Sequence, residues 1–397
     1  MRKLPLLVLV CLLAFSASAA RRHSADTIVI GGLFSLTGDG ETLGKASTAA
    51  LELAARDLNA EFAELRLPYR VRTIVADTQL TPSGAVAGIR ALHEAGATIV
   101  IGPQSSAEAA AIREFVNEND IILISQASTA FSLAIPSDHL FRLAPNDRLE
   151  GAAVAALMEA DGVEVMVPVW RADSGNTGLK DGVLQFFDGI ETSGVSYDPA
   201  TTDFTATVSA LGAAVRAAKN ANPGKKVAVY VAAFEEGAAI LDRARLDADL
   251  LVNWYSGDGL TQSQAILANG AIASFAAATQ FTAPAVTLSE QTRDRWEPLS
   301  EEIEAMVGFL PDAFSLSVYD AAMAATLSSV EARNRAAFRR TAFERTAQRY
   351  WGVTGPLALD AAGDRRIADF DFWAVKETGT GIRWVRTSSY AGGRLVR

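Results

Sequence analysis

Three short segments carry residue types able to grip a small charged molecule. Gly102-Pro103-Gln104-Ser105-Ser106 follows the apolar run Thr98–Ile101 and leads straight into a helical pattern. Backbone N–H groups at a helix start, joined by a serine hydroxyl, suit an anion such as a carboxylate. The same serines could simply N-cap the helix. Ser125-Gln126-Ala127-Ser128-Thr129 follows the next apolar run, Ile121–Ile124, and offers hydroxyls and amides. Taken alone it is an ordinary polar loop. Tyr255-Ser256-Gly257-Asp258-Gly259 follows Leu250–Trp254. An Asp between glycines usually makes a turn, but at a strand end facing a crevice it could counter a cation. Anion donors on one wall and a carboxylate on the other suit a zwitterion, an α-amino acid held by its carboxylate and its ammonium.

The means for catalysis are scarce. The histidines are His23, His93 and His139, and the one cysteine is Cys11. His93 lies near a helix end, His139 precedes a short strand, and His23 lies near the N-terminus. No histidine completes a Ser/His/Asp set, and no pair has metal-ligand spacing. Gly31-Gly32 lacks the dinucleotide fingerprint, and there is no phosphate loop. The sequence therefore assigns no catalytic residue, no metal and no cofactor. A single thiol also excludes an intramolecular disulfide.

The elements that must position these loops alternate between strand and helix. Strand patterns occur at 27–33, 69–76, 98–101 and 121–124, with helical periods at 45–62, 83–95 and 107–117 between them. A second series has helices at 149–160, 179–187, 205–221 and 238–244, and strands at 163–170, 226–232 and 250–254. This order predicts an α/β fold with parallel sheets covered by helices. Ligands in such folds bind beyond the C-terminal ends of strands, where all three polar segments lie. Residues 280–397 hold three helical stretches, near 294–306, 314–330 and 335–350, and few strands. That tail is best divided between the two units, with more than one crossing of the chain.

The chain has 397 residues, 36 basic and 46 acidic, for a formal net charge of −10. That balance argues against nucleic acid as a partner, since polyanion binding needs a basic footprint. Met1-Arg2-Lys3, an apolar run from Leu4 to Phe15, and Ser16-Ala17-Ser18-Ala19-Ala20 have the order of a secretory signal peptide. Cleavage after Ala19 or Ala20 is expected. The run is short for a membrane anchor, and Val10 before Cys11 does not suit lipidation. Loss of residues 1–20 removes Arg2, Lys3 and Cys11 and lowers the net charge from −10 to −12. A soluble, exported, periplasmic or otherwise extracytoplasmic protein is expected.

Several ordered motifs resemble periplasmic substrate-binding proteins of the leucine/isoleucine/valine-binding type. They are Gly32-Leu33-Phe34-Ser35-Leu36-Thr37-Gly38 with Leu43-Gly44, Ala76-Asp77-Thr78, Ile101–Ser106, Ala127-Ser128-Thr129 and Ser256–Gly259. Tyr319-Asp320-Ala321 and Gly352-Val353-Thr354-Gly355, continuing to Asp360 and Gly363-Asp364, complete the set. The resemblance implies two Rossmann-like lobes with parallel-rich sheets, three hinge crossovers and a ligand in the cleft. It places residues 26–146 plus 280–353 in lobe 1 and 147–279 plus 354–397 in lobe 2. It implies a monomer that delivers an amino acid to the membrane permease of an ABC transporter. By position in the motif, Ser106 would bind the ligand carboxylate, with the Ala127 N–H and the Thr129 hydroxyl and amide. Asp258 would take the ammonium. Departures from the family pattern concern the side-chain pocket. Leu43 stands where an aromatic residue is common, and Gln104 and Ser105 make that wall more polar. Phe234 keeps an aromatic wall, and Trp170 either compensates for a missing aromatic or belongs to the core. Phe314 is either a cleft residue or a buried helix position. Two rivals keep the same fold: a binder of a non-amino-acid carboxylate, amide or aromatic acid, and an exported sensor for a signalling partner.

Overall fold

A computed structural model describes residues 26–332 and 339–397. The leader reading on residues 1–20, with Cys11 and His23, lies outside the described residues. So do residues 335–338 of the expected helix near 335–350.

The first sheet holds β1 (Asp26–Phe34), β2 (Tyr69–Asp77), β3 (Ile99–Ile101), β4 (Ile122–Ser125) and β5 (Leu140–Arg142). All are parallel, in the order β2-β1-β3-β4-β5. Helices Glu41–Glu64, Pro82–Glu94 and Ser106–Glu118 make the first three crossovers. Helices therefore cover both faces, and the central strands read as unbroken apolar runs. Pro82–Glu94 and Ser106–Glu118 pack one face through Ile89, Leu92, Ile112 and Val116. Glu41–Glu64 packs the other, joined by two helices from far along the chain, Arg293–Val307 and Ala313–Glu331.

The second lobe contributes β6 (Val165–Arg171), β7 (Ile190–Glu191), β8 (Val195–Tyr197), β9 (Val227–Ala232), β10 (Asn253–Ser256) and β11 (Thr282–Val286). After a small hairpin, β12 (Trp351–Gly352) with β13 (Gly355–Pro356), come β14 (Phe370–Thr378), β15 (Gly381–Ala391) and β16 (Arg394–Val396). The sheet order is β16-β15-β14-β11-β10-β9-β6-β7, with β8 also on β6. Strands β6 to β11 run parallel, and β14 to β16 add an antiparallel edge. Helices Asp147–Ala160 and Ser174–Phe186 cover one face, and Thr205–Ala221, Gly237–Ala244 and Gly270–Ala278 the other. The expected α/β architecture of two parallel-rich lobes is present.

Two lobe boundaries differ from the expectation. Residues 280–353 were expected in lobe 1, yet β11 pairs with β10 and β14 in the second sheet. Its sequence, Thr-Ala-Pro-Ala-Val, has little strand propensity, and a proline normally argues against an inner strand. Residues from 354 onward were expected in lobe 2, yet Leu357 and Leu359 are buried in the first core. The chain therefore crosses near 143–146, 287–292 and 366–369.

Those crossings are fastened by buried ion chemistry. The Arg142 guanidinium, at the end of β5, donates from Nε to Asp364 Oδ1 at 2.7 Å and from Nη2 to Oδ2 at 2.5 Å. Its Nη1 donates to the Ala130 carbonyl at 2.6 Å, and both side chains are almost fully buried. Asp320, fully buried in helix Ala313–Glu331, accepts from the backbone N–H groups of Val353 and Thr354 at 2.7 and 2.8 Å. Gly352 approaches so closely that a Cβ there would fall 2.1 Å from Asp320 Oδ1. The last two motifs behind the family resemblance, Tyr319-Asp320-Ala321 and Gly352 to Asp364, thus hold the first lobe together close to the crossings and do not border the cleft cavity.

Candidate functional site

In each sheet the chain changes direction at a central strand: β1 lies between β2 and β3, and β6 between β9 and the short β7 and β8. Crevices open at the C-terminal ends of strands at such switch points. The two crevices face one another and enclose a cavity. The first lobe contributes Asp39, Gly40, Leu43, Gln104 and Ala127 to its wall. The second contributes Phe234, Glu235, Asp258 and Gly259, and the Phe309–Ser315 stretch closes a side.

Local hydrogen bonds set the first-lobe wall. Asp77, at the end of β2, accepts from the Leu36 and Gln79 N–H groups, each at 2.9 Å, and from the Thr37 hydroxyl at 2.8 Å. Burial alone would raise its pKa, but these hydrogen bonds outweigh burial and hold its carboxyl below the usual range. Gln104 Oε1 accepts from the Ser35 N–H at 2.6 Å, and Nε2 donates to the Gly40 carbonyl at 3.0 Å. Both ends of the Gln104 amide are therefore committed within the lobe. Ser105 is the N-cap of helix Ser106–Glu118, in a reciprocal capping box with Glu108. The expected extra polarity from Gln104 and Ser105 is thus spent on structure, although Gln104 still borders the cavity.

Capping by Ser105 leaves Ser106 free of that duty. Its Oγ accepts from the Ser128 hydroxyl at 3.1 Å and from the Ala130 N–H at 3.0 Å, which leaves its own proton uncommitted by these bonds. Ser106 is 3% exposed and faces Gly175, where an added Cβ would lie 3.6 Å from the Ser106 Oγ. Thr129 is equally buried, and its hydroxyl lies beside the Asp147 carboxylate. Ser106 and Thr129 therefore sit one layer behind Ala127, which itself borders the cavity. The N-terminus of helix Ser174–Phe186 packs over them.

Trp170 is not part of the wall. It packs with the core under helix Ser174–Phe186, its ring 4.9 Å from the Lys180 ammonium. Strand alternation instead turns the next residue, Arg171, toward the cleft. Arg171 meets Asp173 at 2.9 Å and Glu236 at 3.3 Å, and reaches across to Asp39 of the first lobe at 3.4 Å. Its guanidinium also stands 5.6 Å from the Phe234 ring. Leu43, Phe234 and Phe314 border the cavity.

Asp258 opens a single helical turn after β10 and borders the cavity. Its N–H donates to Glu150 Oε1 at 3.0 Å. Glu150 is 2% exposed, and burial, then the charges of Asp258 and Asp147, push its pKa well above the usual range. Burial raises Asp258 to about 6, with the Glu150 hydrogen bond working downward and Asp312 upward. Burial, reinforced by Asp258, raises Asp147 to about 7, and neither of its carboxylate oxygens has a well-aligned partner among the described residues. The Tyr230 hydroxyl beside them is also buried and has no partner among the described residues. Burial and the two neighbouring carboxylates thus favour the protonated form of Glu150, while Asp258, at about 6, carries a charge at neutral pH.

This cluster makes a stability prediction. Asp147, Glu150 and Asp258 bind protons more tightly in the folded chain than in the unfolded chain. Stability from these groups therefore grows as pH falls through their folded pKa values and is lost as pH rises. Between pH 7.5 and 5.5, Asp147 alone gives a gain of about 1–2 kcal/mol. The ligand-free protein should melt a few degrees higher at pH 5.5, as checked by differential scanning calorimetry. A lower melting temperature at pH 5.5 would show that the cluster does not dominate.

Sequence reasoning missed Asp39, Arg171, Glu235 and Asp312. Asp39 sits in Gly38-Asp39-Gly40, the same pattern that singled out Asp258. Arg171 and Glu235 stand at or just past the ends of β6 and β9, where the strand-end rule applies as well.

A family model for periplasmic binding proteins matches residues 27–380. An uncharacterized protein of Methanocaldococcus jannaschii is 27% identical over 380 residues, covering 89% of this chain and 88% of its own. A leucine binding protein from Thermotoga maritima superposes with a TM-score of 0.74 at 18% identity, over 92% of this chain and 99% of that one. A branched-chain amino acid transporter substrate binding protein from Streptococcus pneumoniae, in complex with isoleucine, gives 0.72 at 18%, over 91% and 100%. An ABC transporter solute binding protein from R. palustris, in complex with benzoate, gives 0.72 at 17%, over 92% and 98%. At these identities the solved structures establish a shared fold.

Proposed function

The chain belongs to the periplasmic binding protein family, and from that premise we propose that it captures an α-amino acid between its lobes and delivers it to an ABC transporter permease. Asp258 carries this reading. It is a carboxylate on the cavity wall, ionised at neutral pH and backed by Glu150, whose pKa burial pushes upward, with no cationic side chain on that wall among the described residues. A ligand ammonium there would gain a charge-assisted hydrogen bond in a site shielded from water. Ala127 would offer its N–H to the ligand carboxylate. Ser106, with its spare proton, and Thr129 stand one layer behind Ala127 and would join the donor set only for a carboxylate that reaches past it. Leu43, Phe234 and Phe314 would cover the side chain. Binding across two lobes favours the closed arrangement, which is the form a membrane partner would read. The protein would act as a monomer outside the cytoplasm; among the described residues no helix is long and apolar enough to cross a membrane.

The leucine- and isoleucine-binding relatives support an amino acid, whereas the benzoate complex favours a carboxylate without an ammonium. An exported sensor would use the same cleft, with a signalling protein in place of the permease. Thermal-shift measurements with amino acids and their deaminated 2-keto or alkanoic analogues separate the ligand readings. The amino acids should raise the melting temperature and the analogues should not. Equal stabilisation by a deaminated analogue would remove Asp258 from its role and favour the carboxylate binder.

A further inference from the structure

Among the described residues, the cavity wall carries four carboxylates, Asp39, Glu235, Asp258 and Asp312, and no lysine, arginine or histidine. They form two pairs. Asp258 and Asp312 repel one another, as do Glu235 and Asp39. Each pair takes one acid from each lobe: Asp258 and Glu235 follow β10 and β9, while Asp39 follows β1 and Asp312 caps helix Ala313–Glu331. Closing the cleft therefore brings like charges together twice, which costs free energy unless a cation lies between them.

At the second pair the protein supplies a shared charge, and only on the Asp39 side among the described residues. Arg171 reaches Asp39, but the same guanidinium already serves Asp173 and Glu236. Glu236 has a side chain only 8% exposed and leaves Oε2 without a partner among the described residues. One guanidinium thus serves three carboxylates, Asp39, Asp173 and Glu236, while the fourth acid, Glu235, has no ion pair among the described residues. Burial, with Asp39 and Glu236 nearby, holds Glu235 above the usual carboxylate range even though the Ser263 hydroxyl donates to it at 2.7 Å. Leu43, Leu80 and Phe309 also border the cavity and would cover a methylene chain.

We infer that the ligand carries two cationic groups, one between Asp258 and Asp312 and the second between Asp39 and Glu235. With the amino-acid reading of the cleft, on which this rests, the ligand class is a basic amino acid of the lysine or ornithine kind. The net acidity of the chain would also steer such a cation toward the protein.

Isothermal titration of the purified protein at pH 7.5 with L-lysine, L-ornithine, L-norleucine and cadaverine tests this. Norleucine keeps the amino-acid head and the chain but lacks the second charge. Lysine or ornithine should bind at least about tenfold more tightly than norleucine. Glu235→Gln and Asp39→Asn should each pull that ratio toward one. Asp39 is partly exposed, so its variant is expected to fold. Norleucine binding as tightly as lysine would overturn the second cation and leave the amino-acid reading standing. Cadaverine matching lysine would support two cations and overturn the amino-acid head. Silence from all four ligands would overturn both.

Discussion

Asp258→Asn should lower affinity for the bound amino acid by about 30- to 1,000-fold, the effect of removing one partner from a desolvated charge pair. The variant should nevertheless fold at least as stably as the parent. Asp258 stands among Glu150, Asp147, Asp312 and Tyr230, so loss of its charge relieves repulsion in the ligand-free protein. Opposite signs for affinity and stability separate this outcome from simple unfolding. The pH dependence gives a second check. A proton and the ligand ammonium compete for a carboxylate whose pKa is about 6. Affinity of the parent should fall as pH drops through that value, while the weak binding of the variant should depend much less on pH. Calorimetric titration at pH 5 and 7.5 measures both. Undiminished binding by Asp258→Asn would place the ammonium elsewhere.

Asp364→Asn should destabilise the protein by about 3–5 kcal/mol, because it strands a buried guanidinium. The melting temperature should drop by about 5 °C for a chain of this size. Burial pushes the Asp364 pKa upward despite its hydrogen bonds to Arg142, which shows how much desolvation the pair bears. An intact pair can therefore add little net stability while a broken pair costs much. The double replacement Arg142→Met with Asp364→Leu should accordingly recover much of the loss. Chemical denaturation of the two variants checks this. A loss under about 1 kcal/mol for Asp364→Asn would mean that water reaches Arg142.

Much of the fold was legible because each strand–helix alternation is local. The run Ile99–Ile101 between two helical periods can hardly be anything but an inner strand. Assignment of the tail to lobes was less legible, because it depends on contacts between distant segments. Nothing local in Thr-Ala-Pro-Ala-Val says that both neighbours of β11 will be apolar strands. At the site, Asp258, Ala127, Leu43, Gln104 and Phe234 lie on the wall, as the tendency of ligands to gather past strand ends leads one to expect. Of the two readings left open for Trp170, the core one fits, since strand alternation sends it to the helix side and Arg171 to the cleft. The roles of Ser105 and Ser106 could not be divided from sequence, since adjacent serines differ only in which one takes the N-cap conformation. The carboxylate pairs were hidden because each is formed from two lobes.

The packing of helices Arg293–Val307 and Ala313–Glu331 onto the first sheet has a consequence for how the molecule is made. Strands β1 to β5 are complete by residue 142, but the helices that help cover one face are synthesised more than a hundred residues later. Until then Ile28, Ile30, Ile99, Ile101 and Ile124 lack much of their final cover. Assembly of the first lobe therefore waits for nearly the whole chain, and its high contact order favours slow folding. The nascent chain carries an exposed apolar sheet face or stays unfolded, and in either state it depends on protection from aggregation.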